Sequence, residues 1–96
     1  MASMETIAAL KALAHETRWR MIELLLSQSL CVGALARTLG ITEAATSQHL
    51  QLLRKSGLVR GEKRGYWTHY LVRTQELQRL GLELAEMPDR IAGSKI

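Results

Sequence analysis

The chain has little with which to hold a small fold together covalently or through a metal. It contains one cysteine, Cys31, in 96 residues. One thiol forms no internal disulfide and cannot supply a four-ligand structural zinc site. Long apolar runs are also missing: no stretch approaches the roughly 18 consecutive apolar residues of a membrane span. The first residues show no basic region followed by an apolar block, so no secretory signal is expected and the protein is read as cytoplasmic. There is no internal repeat and no low-complexity block. Three histidines (His15, His49, His69) and one cysteine, with no motif pairing a nucleophile with a base, leave no catalytic constellation, and an enzyme is not expected.

What is present suits one folded domain. Hydrophobic residues make up 47% of the chain, and this length is near the size at which a partner subunit helps to bury enough surface. The formal charge is +4, and its distribution matters more than its size. Residues 31 to 73 hold seven cations (Arg37, Arg54, Lys55, Arg60, Lys63, Arg64, Arg73) against two acids (Glu43, Glu62), a local balance of +5. The flanking segments are close to balanced. Such a basic middle favours nucleic acid as the partner.

The most informative stretch lies inside that basic middle, from Ile41 to Leu58 (ITEAATSQHLQLLRKSGL). On a helix of 3.6 residues per turn, Leu50 can centre one side with Thr46 and Leu53 beside it and Thr42 and His49 on the flank. The opposite side carries Ala44, Gln48, Gln51 and Lys55, with Ser47 at its edge. Thr42 is a plausible cap and Gly57 a stop. Gln and Ser offer donors and acceptors to base edges, Ala44 allows close approach, and only Glu43 opposes phosphate. Before it, Cys31 to Gly40 repeats apolar residues at Val32, Leu35, Ala36 and Leu39, a short helix closed by Gly40. Helix, tight turn and helix make a helix-turn-helix whose second helix reads bases.

Around this unit the spacing predicts a first helix over residues 5–14 with a stripe of Ile7, Leu10 and Leu13. A second, from Glu16 to about Leu26, places Trp19, Ile22, Leu25 and Leu26 in the core. After Gly57 the period changes to two. Leu58 to Lys63 and Tyr66 to Val72 read as a hairpin joined through Arg64-Gly65, a wing carrying Lys63 and Arg64 at its tip. From Thr74 to Met87 the helical period returns with Leu77, Leu80, Leu84 and Met87. Pro88 is expected to stop that helix and Asp89 to Ile96 to form a loose tail. The first and last helices are the candidate dimer surface, and a dimer would set two reading helices about 34–36 Å apart for a palindromic site.

Three segments, ALKALAHETRWRMIELLL, LCVGALARTLGITEAATSQHLQLLRKSGLV and RGYWTHYLV, resemble in order and spacing the ArsR/SmtB family of winged-helix repressors over roughly residues 5 to 87. The resemblance implies a mainly α winged helix-turn-helix with five helices and a two-stranded wing. Its parts would be a helix-turn-helix at about 31–56, a wing at about 58–72 and dimerisation helices at about 5–14 and 74–87. It implies a homodimeric repressor on operator DNA, with Thr46, Ser47, Gln48, His49 and Gln51 at the reading positions. Arg54 and Lys55 would lie near phosphates, and Lys63 and Arg64 on the wing. On the helical spacing alone, His49 faces the flank of the core and reads as packed or phosphate-contacting.

The departure from the family concerns its inducer. Members that sense soft metals carry Cys-Val-Cys on the third helix, because such metals want several thiolates; this chain has Cys31-Val32-Gly33. No histidine lies between Thr74 and Ile96, so the last-helix zinc site is lacking, and no metal site is assigned. Cys31 is either a small core residue or a sensor thiol whose oxidation or metallation shifts the helix-turn-helix. An inducer, whether metal or thiol-reactive, is therefore left open, and so is its absence. His15 reads as a capping or packed residue. The competing function is a winged-helix protein-interaction module without specific DNA binding.

Overall fold

A computed structural model describes residues 3–94, with side chains to residue 91. Helix α1 (Met4–Leu13) begins at Ser3, whose hydroxyl accepts the Thr6 N–H, and α2 (Glu16–Ser27) begins at His15, whose Nδ1 accepts the Thr17 N–H. Each cap satisfies a donor that a helix start otherwise leaves unpaired. The buried side of α1 is Thr6, Ala9, Ala12 and Leu13, and Ile7 of the expected stripe is exposed. Small residues on the inner side let α1 approach its neighbours closely, which turns the larger Ile7 outward.

In α2 the buried residues are Met21, Ile22 and Leu25. Trp19 is 54% exposed and Leu26 49% exposed, against the expectation that both belong to the core. The cause is geometric. At about 100° per residue, a buried arc centred on Leu25 and including Met21 leaves Trp19 about 120° away and Leu26 about 100° away.

Helices α3 (Val32–Leu39) and α4 (Glu43–Lys55) form the helix-turn-helix. Both end in the same way. Gly40 takes φ 70° and Gly57 takes φ 83°. The Ile41 N–H reaches back to the Ala36 carbonyl and that of Gly40 to Arg37, while those of Leu58 and Gly57 reach Leu53 and Arg54. These are two Schellman endings, which satisfy the last carbonyls and favour glycine because its backbone enters the left-handed region freely. The hydrophobic contact that accompanies the second is Leu58 against Leu53, both fully buried.

That ending launches the wing. Strand β1 (Val59–Arg64) pairs antiparallel with β2 (Trp67–Val72), from Val59↔Val72 to Arg64↔Trp67. The turn is two residues, with Gly65 at φ 65° and Tyr66 at negative φ, the sign pattern of a type II′ turn. Leu30, between α2 and α3, adds an isolated bridge to Tyr70 with backbone bonds of 3.3 and 2.8 Å. The hairpin is thereby fixed at its base to both the chain before α3 and the end of α4.

Helix α5 (Thr74–Ser94) is longer than expected, because Pro88 lies inside it. Proline keeps the helical φ and removes one donor. On this exposed segment water can serve the carbonyl left over, and the Arg90 guanidinium folds back to donate to the Glu83 carbonyl at 3.1 Å. Its first half meets the body: Leu80 is buried, and the Thr6 hydroxyl donates to Glu83 at 3.1 Å while accepting from Arg79 at 3.2 Å. The core lies between α2, α3, α4 and the wing base, around Met21, Leu35, Leu53 and Leu58. The five helices and two-stranded hairpin form the winged helix-turn-helix that the sequence suggested. Among the described residues no helix is long and apolar enough to cross a membrane.

Candidate nucleic-acid interface

Helix α4 is held by one side and presents the other. Thr42 caps it, its hydroxyl accepting the Ala45 N–H at 3.0 Å. Thr46, Leu50 and Leu53 are buried. Ala44, Ser47, Gln48 and Gln51 are exposed in a row, and Arg54 and Lys55 follow at the carboxyl end, where cations also complement the helix dipole. Glu43, the only acid of α4, sits in the first turn and leans toward Gly33 and Arg37 of α3. The outward row from Ala44 to Lys55 therefore carries no carboxylate.

Two of the expected reading residues do not face outward. Thr46 is fully buried, and its hydroxyl donates to the Thr42 carbonyl at 2.8 Å. It is removed from the set: a side chain with no exposed surface cannot touch a base, and its hydroxyl is already used within the helix. His49 is half-buried on the flank of α4 toward α2. Its Nδ1 lies 3.2 Å from Arg18 Nη1, and its ring centroid 4.9 Å from that of His15. Its pKa is lowered from the usual histidine value, chiefly by desolvation, then by the proximity of His15 and of Arg18. At neutral pH it is an uncharged acceptor for Arg18.

The wing sorts its cations by face. Residues 60, 62 and 64 share one side of β1, where Glu62 meets Arg60 and Arg64 at 3.3 Å each. Arg64 also donates to the Ser29 hydroxyl at 3.0 Å, which ties the wing tip to the chain before α3. Lys63, on the opposite side of the strand, lines a groove of about 330 Å³ between α4 and the hairpin with Arg54, Val59, Gly61 and Thr68, which the Arg60 side chain also reaches. Among the described residues Arg54, Lys55 and Lys63 have no carboxylate partner. Lys55 turns toward α1 and α5, lining a cleft with Met4 and Arg73. Lys63 and Arg54 thus converge on one basic groove beside the polar row of α4, whereas Arg64 is partly engaged elsewhere. Gly61 is needed in that groove: a Cβ there would stand 2.9 Å from Thr68 Cγ2 and 3.3 Å from the Tyr70 ring.

Cys31 is half-buried at the N-cap of α3 and makes no side-chain capping bond. It lines a hollow of about 430 Å³ with Arg37, Glu43, Trp67 and His69. Among the described residues no three His, Cys, Asp or Glu side chains stand together as a metal site would require. The tip of the wing presents an aromatic pair that sequence reasoning passed over, Tyr66 at 97% and Trp67 at 66% exposure. The signal for it was the two-residue turn itself, Gly65-Tyr66, which places Tyr66 in the turn and Trp67 at the adjoining end of β2, away from the core.

Comparison with known proteins agrees with this geometry. The family described as "Bacterial regulatory protein, arsR family" matches residues 15–60, from the cap of α2 to the start of the wing. The chain is similar to the transcriptional activator HlyU of Vibrio cholerae, 36% identical over 79% of this chain and 70% of that one. It is also similar to the arsenical resistance operon repressor of Escherichia coli, 46% identical over 67% of this chain, which spans 56% of that repressor. A solved homodimeric winged helix-turn-helix DNA-binding domain from Mycobacterium bovis superposes with a TM-score of 0.74 at 25% identity. That match covers 95% of this chain and 84% of the other. With this fold, this exposed helix and these relatives, the chain belongs to the ArsR family of bacterial transcriptional regulators.

Proposed function

We propose that the protein is a homodimeric repressor that binds a palindromic operator in the cytoplasm, with no catalytic step. The observation that carries the reading is the outward row of α4, Ala44, Ser47, Gln48 and Gln51, which is free of carboxylates and adjoins the Arg54–Lys63 groove. Ser47 and Gln48, with Gln51 beside them, read base edges in a major groove. Arg54 and Lys63 hold phosphates, and Lys55 and Arg64 add charge at the margins. His49 supports the helix from behind.

Dimerisation follows from what the single chain leaves uncovered. Ile7 on α1 and Leu82, Leu84 and Met87 on α5 are 43 to 60% exposed, and they flank the Thr6–Glu83 contact between the two helices. The radius of gyration is 15.4 Å, against about 12.5 Å for a compact domain of this length. The excess is the projecting half of α5, which a second copy would cover. The M. bovis homodimer is consistent with that arrangement.

One relative is an activator and another a repressor, so the sign of regulation is the part to test separately. Selection of duplexes from a random pool, followed by binding across a salt series, should yield inverted half-sites one helical turn apart. A reporter placed behind that site should be silenced; stimulation would assign activation instead. Equal binding to selected and shuffled duplexes would refute DNA reading and favour the protein-interaction module. For the signal, Cys31 in its hollow is the position at which a thiol-directed inducer would act. Release of operator DNA by a thiol-reactive agent from the native chain, and not from Cys31→Ser, is the expected result.

A further inference from the structure

Three nitrogen-bearing side chains meet behind α4 and take no part in the DNA contacts proposed above. Arg18 donates through Nε to the Ala12 carbonyl at 2.6 Å and through Nη1 to His49 Nδ1 at 3.2 Å. One guanidinium thereby ties the end of α1, the start of α2 and the middle of α4. Arginine has only donors, so this bond exists only while His49 Nδ1 is unprotonated. His15 stacks obliquely on His49, and its own Nδ1 accepts the Thr17 N–H at 3.2 Å.

The charged and titratable groups facing His49 are therefore Arg18 and His15, both from the α2 end. On α4 itself no charged residue lies between Ala45 and Leu53. From α1 the cluster receives the Ala12 carbonyl, already used by Arg18, and Lys11 of α1 and Lys55 of α4 line a hollow beside Arg18, adding positive charge and no carboxylate. Among the described residues no carboxylate pairs with any of the three.

We propose that Arg18 is a positioning residue for the DNA-reading helix, holding it through neutral His49, so that protonation of His49 loosens α4 and releases the specific operator. The inference rests on the DNA-binding reading given above. A proton on Nδ1 replaces an acceptor with a donor facing another donor, and it sets a positive charge between a guanidinium and a second imidazole with no carboxylate to screen them. His49 follows Gln48 directly in the chain, so a shift of the backbone there moves a base-reading side chain. Plain electrostatics would act in the opposite sense, since added positive charge tightens binding to phosphates. The sign of the pH dependence therefore separates the two.

The experiment measures affinity for a selected operator and for a shuffled duplex at constant ionic strength, at about pH 7.5 and about pH 5.5, the interval in which histidine titrates. The native chain, His49→Asn and Arg18→Met are compared, with circular dichroism to confirm folding. The native operator-to-shuffled ratio should fall by about tenfold or more on acidification, a loss of one well-made polar contact per dimer or greater. His49→Asn keeps an acceptor at the Nδ1 position without titrating, and its ratio should hold; Arg18→Met should show a low ratio at both pH values. A native ratio that stays constant or rises in acid overturns the proposal, as does a parallel fall in His49→Asn. Nitrogen-15 spectra of the imidazoles provide a readout that needs no DNA. Arg18→Met, or Arg18→Gln if that chain fails to fold, should raise the protonation midpoint of His49, and an unchanged midpoint overturns the clamp. If no duplex is preferred at any pH, the DNA reading fails and the spectra still decide the clamp.

Discussion

Replacing Gln48 by alanine separates base reading from phosphate holding. Gln48 is exposed on the outward row of α4, and among the described residues no hydrogen bond ties its amide to another group. Alanine is a better helix former, so folding stability should stay within about 0.5 kcal/mol of the native value. A bidentate side chain on a base edge is worth about 1–3 kcal/mol of discrimination, and a dimer carries two copies. The expected loss on operator DNA is therefore about 2–6 kcal/mol per dimer, with little change on random DNA and none in the salt slope. Lys63→Ala supplies the contrast. It should weaken every duplex alike and reduce the slope of log affinity against log salt by about 1.8, for two phosphates released per dimer. Fluorescence anisotropy on labelled operator and shuffled duplexes, from low to physiological salt, reads both variants. Equal losses on the two duplexes for Gln48→Ala would refute the assignment of the outward row as the base-reading surface.

Gly40→Ala has nothing within 4 Å of its new Cβ, so its cost is the left-handed backbone alone, about 1–2 kcal/mol by chemical denaturation. A neutral result would mean that the turn relaxes. Gly61→Ala adds contact strain against Thr68 and Tyr70 and should cost about 1–3 kcal/mol, with a larger effect on DNA affinity than on the fold of the helices, because it distorts the wing. Leu84→Glu should convert a dimer to a monomer by light scattering while leaving the helical spectrum intact, since Leu84 is 49% exposed in the single chain; a persistent dimer would remove α5 from the interface. Because the folded pKa of His49 lies below its unfolded value, the unfolded chain takes up the proton first. The stabilising contribution of neutral His49 is complete above the usual histidine pKa and declines as pH falls through that value toward the lowered one. Thermal melts should follow that direction, and His49→Asn should remove this part of the dependence.

The parts of this fold that could be read in advance are those written in local chemistry. Thr42 as a cap and Gly40 and Gly57 as helix ends are positions where one backbone group or one sign of φ decides the residue, and their neighbours hardly matter. The change of period after Gly57 likewise locates the wing. Burial on a crowded helix is less legible. Trp19 looks like core because its size dominates an apolar count, yet Met21 shifts the buried arc of α2 away from it. Thr46 enters a reading set when positions are transferred by resemblance, while its place beside Leu50 already puts it inside. Whether Pro88 ends the helix depends on whether water can serve the Leu84 carbonyl that it strands, and so on exposure that no local pattern records. The same limit governs the surfaces of α1 and α5. Periodicity marks Ile7, Leu84 and Met87 as apolar but cannot say whether they cover their own core or a second copy. Only their exposure beside the Thr6–Glu83 contact turns them from missing core into the proposed interface.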